Sequence, residues 1–70
     1  MRVRLSQPAL MPDLVDFLHR ASCRTDGVHG ATVEVELPAV QDATVARRDV
    51  DLFLAAWCGL HPGVRTTILG

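Results

Sequence analysis

The sequence predicts an α+β fold: two amphipathic helices packed on one face of a short open sheet. Three observations lead there. Two stretches repeat apolar residues at three- and four-residue spacing, several short stretches alternate polar and apolar at period two, and the two kinds are interleaved along the chain. At 70 residues there is room for one hydrophobic core, so residues 1–70 are read as a single domain.

The first strand is expected over residues 2–6, where Val3 and Leu5 point inward between Arg2, Arg4 and Ser6. Gln7 and Pro8 break it. A helix then begins near Ala9, with Pro12 tolerated because first-turn amides have no intrahelical partner to lose, and runs to about Ser22. Its apolar stripe is Leu10, Leu14, Phe17, Leu18 and Ala21, with Asp13, Asp16, His19 and Arg20 on the opposite side. Asp13 and Asp16 suit the positive end of the helix dipole, and Arg20 the negative end.

Residues 32–37 alternate perfectly, with Val33, Val35 and Leu37 inward. A second strand before them, from Cys23 to Gly27, would join through a three-residue loop, Val28-His29-Gly30, with Gly30 at positive φ. That register sets Arg24 across from Glu34 and keeps Cys23 and Thr25 on the core face. Pro38 ends the strand, and Asp42 or Thr44 caps a second helix reaching about Leu60. Ala46, Val50, Phe53, Leu54 and Trp57 form its inner stripe, so Trp57 and Phe17 are both expected to be largely buried. Gly59, His61, Pro62 and Gly63 stop the helix, and a last strand follows over residues 64–69, with Val64, Thr66 and Ile68 on one side.

The resulting order is βαββαβ, or βαβαβ if the hairpin does not form. The first resembles the ferredoxin-like plan, a two-layer open-faced sandwich with an antiparallel sheet ordered 4-1-3-2. A topology alone names no function.

Bulk properties remove several function classes. About half of the residues are apolar (49%) and a fifth charged (21%), which is the composition of a folded domain. The net charge of −1 supplies no field to gather nucleic acid or anionic lipid. All 7 basic side chains are Arg, read as genome composition pointing to a bacterial source. No segment has signal-peptide or membrane-spanning character, and two cysteines fit a reducing compartment, so the expectation is a cytoplasmic chain with free thiols.

Four features could carry specific chemistry. The first is the plan itself, which ACT-type ligand-binding domains, heavy-metal-associated domains and RNA-recognition motifs share. Ser6-Gln7-Pro8 lacks the glycine of the first at the strand–helix junction, that junction lacks the Cys-x-x-Cys of the second, and the only aromatics, Phe17, Phe53 and Trp57, sit on helix stripes rather than on sheet strands. The open sheet face is expected to carry Arg2, Arg4, Arg24 and Arg65 beside Glu34, Glu36 and Asp26, a self-compensating pattern unlike a nucleic-acid footprint. Cys23, His29, Cys58 and His61 do not have a recognised zinc spacing. Cys58 and His61 lie three residues apart but lack any third, orienting group. The expectation is therefore no enzyme, no cofactor and no metal.

One face resists that bland account. On the side of the second helix away from its core stripe lie Val45, Leu52, Ala55, Ala56 and Gly59, interrupted only by Arg48. An outward helix face is usually charged, and small residues around a leucine permit close approach of another helix. The sequence is accordingly read as a small non-enzymatic interaction or regulatory module that forms a homodimer or binds another protein through this face. The alternative is a small-ligand-binding domain of ACT-like plan; neither nucleic acid nor membrane is an expected partner.

Overall fold

In the computed structural model, which describes residues 1–69, the opening alternation forms strand β1, Arg2–Leu5, with Val3 and Leu5 fully buried and Arg2 and Arg4 exposed. The chain then makes a 3₁₀ turn, Pro8–Leu10, closed by the Leu10 amide donating to the Gln7 carbonyl at 3.0 Å. Helix α1, Met11–Arg20, therefore starts two residues later than the spacing suggests, with a proline in its first turn as expected.

The buried stripe also differs from the expected one. Met11, Leu14 and Leu18 lie at its centre, while Leu10, Phe17 and Ala21 are only partly buried at its margins. The expected deep burial of Phe17 is thus corrected. Helix α1 also stops short of Ser22, because Ser22 adopts φ +66. Its amide donates to the His19 carbonyl at 3.1 Å, and the Cys23 amide donates to the Leu18 carbonyl at 2.9 Å. These two bonds are a Schellman cap, with serine where glycine is usual.

Strand β2, Arg24–His29, and strand β3, Thr32–Glu36, form the expected hairpin, but in a different register. The loop is the two-residue Gly30-Ala31, not Val28-His29-Gly30, and Arg24 faces Glu36 rather than Glu34, which lies across from Asp26. Gly30 does take positive φ, at +60. A two-residue loop pairs His29 with Thr32, and continued without interruption it would align Arg24 and Asp26 with the inward residues of β3. A bulge between Asp26 and His29, with Gly27 at φ +55, adds one residue and restores parity, so Thr25 pairs with Val35 and Cys23 stays buried.

Asp42, rather than Thr44, caps helix α2, Ala43–Gly59: its carboxylate accepts from the amides of Thr44 at 2.8 Å and Val45 at 3.1 Å. Ala46, Val50, Leu54 and Trp57 are buried, and Phe53 is partly so. The turn through Gly63, at φ +86, leads to a short strand β4, Thr66–Ile68, preceded by the buried Val64.

The four strands form one sheet in the order β2-β3-β1-β4, each neighbouring pair antiparallel. Helix α1 lies over β2 and α2 over β4, so both cover one face. Val3, Leu5, Val33 and Val35 from the sheet meet Leu14, Leu18, Val50, Leu54 and Trp57 from the helices in one continuous core. This is a small α+β domain with two helices on an open antiparallel sheet. Among the described residues no helix is long and apolar enough to cross a membrane.

Candidate functional site

The outer side of α2 is held in place by its inner side. Trp57 is 1% exposed, and its indole N–H donates to Asp13 Oδ2 of α1 at 2.9 Å. His61, just past the helix end, stacks on the Trp57 ring with centroids 4.3 Å apart. Its Nδ1 lies 2.9 Å from the Trp57 carbonyl and its Nε2 lies 3.1 Å from Asp13 Oδ2. Together these contacts tie the start of α1 to the end of α2.

With α2 so oriented, the face singled out in the sequence points away from the core. Leu52 is 62% exposed, Ala55, Ala56 and Gly59 are exposed, and Val45 is partly buried at the margin. A side-chain carbon placed on Gly59 would meet open space. Leu60, 70% exposed, adjoins this strip. Sequence reading set Leu60 aside as a helix end, although its position one turn from Ala56 placed it next to the strip. Arg48 is exposed within the strip, as the spacing implied.

The other candidate groups are kept apart. Cys23 is buried just before β2, where burial pushes its thiol above the ordinary range, and His29 is exposed at the far end of that strand. Cys58 lies 3.6 Å from the Thr66 hydroxyl. Both ring nitrogens of His61 face acceptor groups, Nδ1 the Trp57 carbonyl and Nε2 the Asp13 carboxylate, so the imidazole is engaged in the contact between α1 and α2. Among the described residues no group of three or more His, Cys, Asp or Glu side chains is placed to hold a metal ion.

The open sheet face carries the mixed charges anticipated, with Arg2 3.7 Å from Glu34 and Arg24 3.8 Å from Glu36. At the junction between β1 and α1, the Ser6 hydroxyl accepts the Arg65 amide at 2.8 Å, which engages its oxygen with a neighbouring loop. A cleft of about 590 Å³ lies elsewhere, between the turn that leaves β3 and the first turns of α2, and is lined by Leu37, Val40, Ala46 and Arg47 among others. Sequence reasoning missed it, since its walls come from segments that alternate or repeat only by themselves. In comparison with known proteins, no family model, curated relative or solved structure matches this chain.

Proposed function

We propose that this chain is a small non-enzymatic interaction or regulatory module, built on the ferredoxin-like plan, that self-associates as a homodimer through the outer face of α2. The order of elements and the strand order β2-β3-β1-β4 support the plan. The observation that carries the functional reading is Leu52, 62% exposed in a strip with Ala55, Ala56, Gly59 and Leu60. Small side chains between the two exposed leucines allow a second helix to approach closely, and a 70-residue domain gains from sharing a core.

In an isologous contact each substitution is present twice. Leu52→Glu places two like charges near the symmetry axis and leaves the core stripe untouched. Sedimentation velocity at high micromolar concentration is expected to show a wild-type dimer and a Leu52→Glu monomer with unchanged near-ultraviolet circular dichroism from Trp57. A wild-type chain that sediments as a monomer at that concentration refutes the reading. The alternative, a small-ligand-binding module, draws support from the cleft beside Leu37 and Val40 rather than from the β1–α1 junction that the ACT-like plan would use.

A further inference from the structure

We propose that the cleft between the β3 exit turn and the start of α2 binds a small monocarboxylate with an apolar body. Its volume, about 590 Å³, falls in the range of small-molecule sites. The floor and walls are apolar: Leu37 and Ala46 are buried, and Val40 is partly buried. Three local bonds hold the segments on either side of the cleft in shape. The Val40 amide donates to the Leu37 carbonyl at 3.0 Å across the Pro38 turn, and Asp42 fixes the first turn of α2.

The charge inventory selects the ligand. Glu36 lines the cleft but faces Arg24 at 3.8 Å, and the Met1 ammonium faces Glu34 at 3.5 Å. Arg47 is the remaining charged side chain of the lining, and among the described residues it forms no ion pair, not even with Asp51 one turn along α2. Arg47 lines this cleft and also the neighbouring surface towards Arg48 and Asp51, and an arginine without an ion pair on the edge of an apolar hollow complements a carboxylate attached to a hydrocarbon, because the planar fork matches the two carboxylate oxygens. A neutral alcohol leaves the guanidinium without its counter-charge, and an ammonium is repelled.

The test is an amide chemical-shift titration of the isotope-labelled chain with sodium hexanoate, with hexan-1-ol and hexylammonium chloride in parallel. Hexanoate is expected to produce saturable shifts at Leu37, Val40, Ala46 and Arg47 in the millimolar range. Arg47→Gln, an exposed substitution that leaves the fold intact, should weaken hexanoate binding roughly tenfold, to the level of the alcohol. The proposal is overturned by the absence of saturable shifts, by shifts confined to another surface, or by equal hexanoate binding in wild type and Arg47→Gln. None of these outcomes depends on Leu52, so the result is independent of whether the chain dimerises.

Discussion

Removing the Asp13 carboxylate tests whether the contact at Trp57 organises the two helices. Trp57 is 1% exposed, and Asp13 Oδ2 is the acceptor for its indole N–H at 2.9 Å. A buried donor left without an acceptor costs about 1–3 kcal/mol. The Asp13 side chain is 58% exposed, so water can reach the vacated position, and the low end of that range, about 1 kcal/mol, applies. Loss of the exposed contact with His61 adds about 0–1 kcal/mol. Asp13→Ala should therefore cost about 1–2 kcal/mol, which for a domain of this size lowers the melting temperature by roughly 4–16 °C. Asp13→Asn keeps an acceptor for the indole and should lose less. The decisive assay is a double-mutant cycle with Trp57→Phe, followed by thermal and urea melts. In the Trp57→Phe background the Asp13→Ala cost should shrink by about 0.5 kcal/mol or more, because the donor has gone. Equal costs in both backgrounds would show that the indole bond contributes nothing and that Asp13 acts only through His61 and the helix dipole.

Two backbone positions should respond to substitution with opposite sign. Ser22 is held in a left-handed conformation at φ +66 while Gly27 holds φ +55 in the bulge, so Ser22→Gly should stabilise by about 0.5–1 kcal/mol and Gly27→Ala should destabilise by about 1–2 kcal/mol, both read from urea midpoints. Loss of stability in Ser22→Gly would mean that the serine side chain contributes more than its backbone strain costs. The Cys23 thiol has its pKa raised by burial, so above the ordinary thiol range the native state retains a proton that the unfolded state has released. The stability associated with that proton is fully present below the ordinary range and declines as pH rises from there towards the folded-state value. Urea melts from neutral into alkaline pH should show this decline in wild type and a shallower one in Cys23→Ala. A disulfide reagent at neutral pH should modify the partly exposed Cys58 first and reach Cys23 only on unfolding; equal rates for both would contradict the burial of Cys23.

The sequence by itself determined which face of each element is buried. Val3 and Leu5, Val33 and Val35, and Ala46, Val50, Leu54 and Trp57 all face the core as their spacing requires, because a period of two or of 3.6 residues is a local property of the backbone. The outward position of Leu52 follows from the same periodicity. Alignment along the sheet belongs to the tertiary structure. Shifting a strand by two residues leaves every side chain on its own face, so alternation cannot distinguish Arg24 across from Glu34 from Arg24 across from Glu36, and only the Gly30-Ala31 turn with its bulge at Gly27 selects the second. The same holds at the margins of a helical stripe, where Met11 is buried and Phe17 only partly so, because the docking of α1 on the sheet sets which edge of the stripe is covered. Asp13 and Trp57, 44 residues apart, meet only because both helices cover one face of the sheet, and the cleft beside Arg47 exists only where the end of β3 is brought against the start of α2. Contacts between distant segments depend on how the layers dock, and no periodicity within a segment encodes that.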